Sequence, residues 1–301
     1  MKIGFKGRIF HKFLPPLQIH IWGGLGSQLF GLLAVEEVGQ LFPARKLEVV
    51  FHSGGVTARH PDVIELIPEG LKVSFVDDFF SDELIGSSKK FSNSNFEFVN
   101  YIKKAIAHKL KLIVSWDKSS EGPRFWTFQL RGHYRMLKVN PNTLESTYKR
   151  IKEVKLDSYK SNEEKKNAIH FRIGDLVGLK GIIDPSDILR VAGEIQERNH
   201  LRFTVLSDSQ LEAYGHLATL NLDKTSPFLS TWETIKVGYE SAAFIGTFSK
   251  ISYWIVILRV LSTSYKISYL PRPVALELKD YFNTYSIEAN IVPYDSSIIE
   301  K

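Results

Sequence analysis

Leu17-Gln-Ile-His-Ile-Trp22 alternates apolar and polar residues, runs into Gly23-Gly-Leu-Gly26, and is followed by the apolar, helically spaced stretch Gln28–Phe42. Alternation with a period of two is the pattern of a strand, the glycines supply a tight turn, and the longer periodic run reads as a helix. Strand, glycine turn and helix together form the opening unit of an α/β sheet. Further strands are predicted at Leu47–Phe51, Leu71–Val76 and Trp126–Leu130.

The second half alternates more regularly. Strands are predicted at Ala168–Ile173, Arg202–Ser207, Ala242–Gly246 and Lys266–Leu270, with helices at Pro185–Arg198, Gln210–Leu220, Thr231–Ser241 and Ser249–Val260. Alternating strands and helices imply a largely parallel sheet with helices on both faces. Between the halves, Asn142–Lys165 is strongly charged, with Leu144, Tyr148, Ile151, Val154 and Leu156 at roughly helical spacing, so an exposed connecting helix and linker is expected there. A chain of 301 residues suits two cores, and two domains, 1–150 and 151–301, are expected, with Glu277–Lys301 as a tail crossing back to the first.

Hydrophobic residues make up 44% of the chain, and the formal net charge of +6 points to an anionic partner. Lys and Arg are dispersed among Asp and Glu with no recognised nucleic-acid-binding motif, which argues against DNA or RNA. The chain has no cysteine, which excludes disulfides and thiolate metal sites and fits a reducing compartment. Lys2, Lys6, Arg8, His11 and Lys12 interrupt Met1–Phe13, so it is not a secretory signal, and Lys250 and Arg259 interrupt the apolar stretch Ala242–Leu261. A cytoplasmic protein is expected. Basic residues at Lys2–Lys12 and Lys103–Lys111 suit weak peripheral association with an anionic inner-membrane leaflet, although such lysines are more often a solvated face.

In open parallel sheets ligands bind at the carboxyl ends of the strands, so the residues just past each strand end are informative. His170-Phe-Arg-Ile-Gly-Asp175 sets His170 and Arg172 two residues apart on one strand face. A guanidinium there can hold a diphosphate bidentately, unless Asp175 or another carboxylate is simply its structural partner. Ser207-Asp208-Ser209 closes the next strand, and Gly246-Thr-Phe-Ser249 is a strand-to-helix turn whose amides and hydroxyls suit an anion at a helix N-terminus. Glu233, in the first turn of its helix, could accept from the N–H donors on the Watson–Crick edge of guanine, or could simply favour the helix N-terminus. Together these segments describe a nucleotide diphosphate site. Asp77-Asp78 are adjacent rather than forming an Asp-x-Asp metal motif.

Trp22-Gly-Gly-Leu-Gly-Ser-Gln-Leu-Phe30, His170-Phe-Arg172 with Gly174-Asp175, Ser207-Asp208 and Ser249-Lys-Ile-Ser-Tyr-Trp254 stand in the order of the motifs of the fucosyltransferase superfamily. The chain most closely resembles the bacterial α-1,2-fucosyltransferase family. It departs from that pattern at Ser27 and Ile173, where the family carries asparagine and a second arginine, and Gly246-Thr-Phe-Ser249 also resembles the last motif of α-1,6- and protein O-fucosyltransferases.

The resemblance implies a GT-B arrangement, two Rossmann-like domains with a cleft between them and GDP held mainly by the C-terminal one. It implies GDP-β-L-fucose as donor, a glycan acceptor such as a galactose of a bacterial surface glycan, inversion, and neither cofactor nor metal. The site residues it implies are Arg172 and Asp175 for catalysis, with Gly23, Gly24, Gly26, His170, Arg172, Ser207, Asp208, Glu233, Thr247, Ser249 and Ser252 around the donor. Asp175, Glu36 and Asp208 are the carboxylates available as a base. Another GDP-sugar donor, or a glycan-binding relative that does not transfer, fits the same residues.

Overall fold

The computed structural model describes residues 14–54, 60–77, 105–117, 121–157, 166–173, 182–223, 229–262 and 266–299. The chain divides into two compact units, Met1–Arg150 and Ile151–Lys301.

In the first unit the described strands are β1 (Leu17–Ile21), β2 (Leu47–His52), β3 (Lys72–Val76), β4 (Ile113–Ser115) and β5 (Gln129–Arg131), in the spatial order β3-β2-β1-β5-β4. Every pairing is parallel. Helix α1 (Leu25–Leu41) is apolar on nearly all sides and is buried on most of them. It packs so closely on β1 that a Cβ on Gly31 would stand 2.8 Å from Ile21 Cδ1. The turn into it passes through Gly23 at φ +82°, a left-handed conformation that only glycine adopts without strain.

Helix α2 (Pro141–Ile151) and the wider π-turn Lys152–Leu156 supply the expected connecting helix, with one side buried rather than exposed, and residues 158–165 of the expected linker lie outside the described residues. Leu144, Ile151 and Leu156 are buried, and α2 is tied to α1 because the Asn140 N–H and the Thr143 hydroxyl donate to Glu37 Oε2 at 2.8 and 2.6 Å. The apolar spacing inside that charged run is therefore a packing face.

The second unit opens with β6 (Asn167–His170) and β7 (Ile182–Ile183), followed by α3 (Pro185–Asn199), β8 (Phe203–Leu206) and α4 (Gln210–His216). It continues through α5 (Thr231–Glu240), β9 (Ala243–Ile245), α6 (Lys250–Leu261), β10 (Ile267–Pro271), α7 (Arg272–Asn283), β11 (Ile291–Tyr294) and β12 (Ile298–Ile299). Its main sheet runs β11-β10-β9-β6-β8, again parallel throughout. Both units are thus α/β and Rossmann-like, as the strand and helix alternation predicts.

The strands of β6, β8 and β9 are buried along their whole length, which is why they read as apolar runs rather than alternating ones. Arg259 on α6 is 1% exposed and donates to the carbonyls of Gly238, Ser241 and Ile267 and to the Ser268 hydroxyl, joining α5, α6 and β10.

The described part of the expected tail, Glu277–Ile299, is instead built into this unit. Its first residues continue α7, Ile291–Tyr294 pairs in parallel with β10, and β12 pairs antiparallel with β7. Ile291–Tyr294 forms the edge strand of the main sheet. Among the described residues no helix is long and apolar enough to cross a membrane.

Candidate nucleotide site

β6 lies between β8 and β9 in space, although β8 follows it in sequence and β9 comes third. The strand order therefore reverses between β6 and β9, and in sheets of this kind the crevice at the carboxyl ends of those two strands is where ligands bind. His170 is the last residue of β6, and Gly246-Thr-Phe-Ser249 leads from β9 into α6.

The two segments meet through Ser252, in the first turn of α6. Its Oγ lies 2.8 Å from His170 Nδ1 and accepts from the Thr247 N–H at 3.1 Å. His170 and Ser252 are both buried. The arrangement is fully satisfied when the Ser252 hydroxyl donates to Nδ1, which places the ring proton on Nε2. Burial, reinforced by the Arg172 charge and opposed by Asp208, lowers the His170 pKa to about 4, so the ring is neutral at pH 7.

Ser249 caps α6, its hydroxyl accepting from the Ile251 N–H at 3.2 Å. The Thr247 hydroxyl is buried without a hydrogen-bond partner among the described residues. Gly246 has no room for a side chain, since a Cβ would stand 2.6 Å from Leu270 Cδ2 and 2.9 Å from Ser252 Cβ. Its carbonyl accepts from the Tyr294 hydroxyl at 2.8 Å, so a residue from β11 helps hold the turn.

Arg172 lies just past the end of β6, on a run that stays hydrogen-bonded to the segment beside it. The Phe171 N–H still donates to Leu206 O at 2.9 Å, and the Ile173 N–H donates to Asp208 Oδ1 at 2.9 Å. This hydrogen-bonded run carries Arg172 alongside Ser207-Asp208, with its Nε 3.8 Å from Asp208 Oδ2. The Arg172 side chain is 28% exposed and Asp208 40%, so the pair stays open to solvent. Ser207 Oγ accepts from the Ser209 N–H at 3.1 Å and shapes the turn into α4.

Glu233 sits where expected, at the start of α5, and there its carboxylate accepts from the Ser230 N–H at 2.6 Å while Ser230 Oγ accepts from the Glu233 N–H. This reciprocal capping box accounts for the residue by itself. Asp175 lies outside the described residues. Glu36 is on α1 in the first unit, 2.9 Å from Arg150, with its carboxyl pushed up by burial and held down by that arginine.

The glycine motif is also in the first unit. Gly23 takes the left-handed turn, Gly24 is the N-cap of α1, and Gly26 falls inside the helix, which begins three residues earlier than the sequence suggests. Gln28 fixes the turn by donating to Gly23 O at 2.9 Å.

The structure brings together His170, Arg172, Ser207, Asp208, Thr247, Ser249 and Ser252 at one edge of one sheet. Sequence reasoning missed Tyr294, which lies in the segment expected to be a tail. It also missed that β1 and β2 both carry a histidine near their carboxyl ends, in Leu17-Gln-Ile-His-Ile-Trp22 and Leu47-Glu-Val-Val-Phe-His52.

A parallel α/β unit with a polar crevice at its strand reversal is the architecture of nucleotide-binding proteins in general. No protein-family model and no curated protein matches this sequence. Among solved structures, the chain is similar to the Staphylococcus aureus MnaA–UDP co-structure, at 12% identity and TM-score 0.47, over 92% of this chain and 83% of that one. It is similar to POFUT1 in complex with GDP-fucose, at 11% identity and TM-score 0.40, over 84% of this chain and 97% of that one. A third is the Escherichia coli heptosyltransferase WaaC with ADP-2-deoxy-2-fluoro heptose, at 12% identity and TM-score 0.42, over 86% and 89% of the two chains. Likeness at this level leaves function to the site itself.

Proposed function

We propose that the protein is a glycosyltransferase of the GT-B kind that binds a GDP-sugar at the β6/β9 crevice and transfers the sugar, L-fucose from GDP-β-L-fucose in the first place, with inversion to a hydroxyl of an acceptor glycan. The observation that carries this reading is the His170–Ser252–Thr247 contact at the strand reversal, with Arg172 beside it. The four motifs in family order support the donor and leave the linkage, α-1,2 in this proposal, to experiment.

In this reading the Arg172 guanidinium and the N-terminus of α6 neutralise the charge that grows on the departing diphosphate, the part a divalent cation plays in other transferases. The orphaned Thr247 hydroxyl gains a partner from the donor, and neutral His170, with its Nε2–H, orients the nucleotide. Asp208 holds the run that carries Arg172, and its carboxylate faces the guanidinium, so it serves positioning before proton transfer. Asp175 is left as the candidate base. The first unit carries the acceptor, and the protein acts in the cytoplasm.

Calorimetric titration with GDP, ADP and UDP in EDTA, comparing wild type with Arg172→Ala, tests the donor site. Selective GDP binding that the substitution weakens by tenfold or more, roughly the worth of a charge-assisted contact, is the expected result. Equal affinity for the three nucleotides, or full binding by the variant, removes the reading; turnover of GDP-fucose on galactosides then addresses the transfer.

A further inference from the structure

The first sheet has a strand reversal of its own. From β1 the chain steps outward to β2 and β3, whereas β5 lies on the other side of β1. Register aligns Gln18 with Gln129 and Ile19 with Leu130, which sets His20 beside Arg131 on one face. Ile21 is aligned with Phe51, so Trp22 falls beside His52 on that same face.

These side chains form a connected group. His20 Nδ1 and His52 Nε2 are 2.8 Å apart, so one ring donates and the other accepts. Trp22 stacks on His52 with centroids 4.3 Å apart and on His20 at 5.6 Å. The Tyr134 hydroxyl, bonded to His20 O at 2.9 Å and Leu130 O at 2.8 Å, ties β1 to β5 beneath them.

Arg131 is the cation of the group, and no carboxylate among the described residues pairs with it. Its Nη2 donates to Gln129 Oε1 at 3.0 Å; Gln129 in turn donates to Gln18 at 3.1 Å, and Gln18 to Glu48 at 3.1 Å. Glu48 is two amides away and already engaged by Lys72 at 2.8 Å and by Ser74. The relay fixes one edge of the guanidinium, and among the described residues no carboxylate compensates its charge.

Three nitrogens of the group, Arg131 Nε, Trp22 Nε1 and His20 Nε2, are buried with no hydrogen-bond partner among the described residues. Arg131 Nε and the indole nitrogen carry protons in any state, and His20 Nε2 does when His52 is the donor of their shared bond. An unpaired cation and stranded donors at a strand reversal are all satisfied by one kind of ligand, an oxygen anion.

We propose that the carboxyl edge of β1 and β5 is an oxyanion site, in which Arg131, Trp22 and His20 hold a carboxylate or phosphate group of an acidic saccharide. The oxyanion site stands on the geometry of the first unit alone. That its ligand is a saccharide, the acceptor, rests on the glycosyltransferase reading.

The test is a nitrogen-15 NMR titration of the full chain that tracks the indole N–H signals, with Trp22→Phe assigning the Trp22 signal. The probes are methyl β-D-glucuronide for the carboxylate, glucose 1-phosphate for the phosphate and methyl β-D-glucoside as neutral control. Saturable movement of the Trp22 signal with one or both acidic probes is expected, and the tighter one names the anion. The neutral glycoside is expected to bind at least about tenfold more weakly, as is the acidic probe to Arg131→Gln. Trp22→Phe keeps an aromatic ring in the stack and removes the N–H donor, so it tests the site should Arg131→Gln fail to fold; its affinity for the acidic probe, read by calorimetry, is expected to fall several-fold.

A Trp22 signal that does not respond, or responds equally to the neutral glycoside, overturns the proposal. Acidic-probe binding without GDP binding keeps this site and removes the donor reading, and GDP binding with a silent Trp22 does the reverse.

Discussion

Arg172 Nε and Asp208 Oδ2 stand 3.8 Å apart while the other oxygen of the same carboxylate accepts the Ile173 N–H at 2.9 Å. One carboxylate thus holds the backbone that carries the arginine and faces the arginine itself. A diphosphate arriving at Arg172 meets Asp208 as a competing anion.

Asp208→Asn keeps the hydrogen bond to Ile173 and removes the charge. We expect GDP affinity to rise by up to about fivefold, the worth of a half-exposed ion pair. A tenfold loss in the same calorimetric titration would mean that the carboxylate contacts the ligand directly.

His170 gives the second unit a pH-dependent stability. Its pKa is about 4 in the fold against 6.5 for a free imidazole, so the unfolded chain binds more protons between those values. The stabilisation is complete above pH 6.5 and is lost as pH falls from 6.5 to 4, by about 3 kcal/mol in all. Stability at pH 7 and pH 4.5, read by urea denaturation, should differ accordingly, and His170→Asn should reduce the difference, leaving the part due to His20, whose pKa burial also lowers to about 4; an unchanged difference in the variant would remove His170 as a source.

Gly246 and Gly193 separate a crowded glycine from a permissive one. Gly246→Ala forces a methyl against Leu270, Phe244 and Ser252 and should cost roughly 1–3 kcal/mol, with loss of GDP binding as the turn shifts. Gly193 lies inside α3 with nothing within 4 Å of its Cβ position, so Gly193→Ala should stabilise by about 0.5–1 kcal/mol. Chemical denaturation of the two variants side by side checks both signs.

Glu233→Ala should cost about 1 kcal/mol through the lost capping box, while Glu233→Gln, which can still close the box, should cost little. GDP-over-ADP preference unchanged in both variants is expected from the cap. A preference that collapses in Glu233→Gln while stability holds would restore the guanine contact.

The inner strands of the second sheet, β6, β8 and β9, were legible in the sequence because they are buried on both faces and α3, α5 and α6 carry side-chain caps, so apolar runs and boundaries coincide, as in Ala243–Ile245 followed by Ser249. The site edge was legible for the same reason: polar residues appear where those runs stop. What stayed hidden depends on pairing partners far away in sequence. The strand Ile113–Ser115 is too short to show a period, and Ile291–Tyr294 contains a proline and is recognised as a strand only beside β10. The partners of Arg131 and Arg172 likewise depend on register and chain direction, which no local pattern encodes.

The adjacency of β6 and β9 also sets a time order for the molecule. His170 leaves the ribosome with its strand, yet Thr247 and Ser252 emerge only after α3, β8, α4 and α5 have been made. Until then the edge of β6 that β9 will cover is an open template carrying a polar residue with nothing to bind, and closing it requires a long-range contact of the kind that slows folding. A nascent chain halted before α6 would therefore hold every strand up to β9 and still lack the contact of His170 with Ser252, so the crevice between β6 and β9 is completed in a single late step of synthesis rather than growing with the chain.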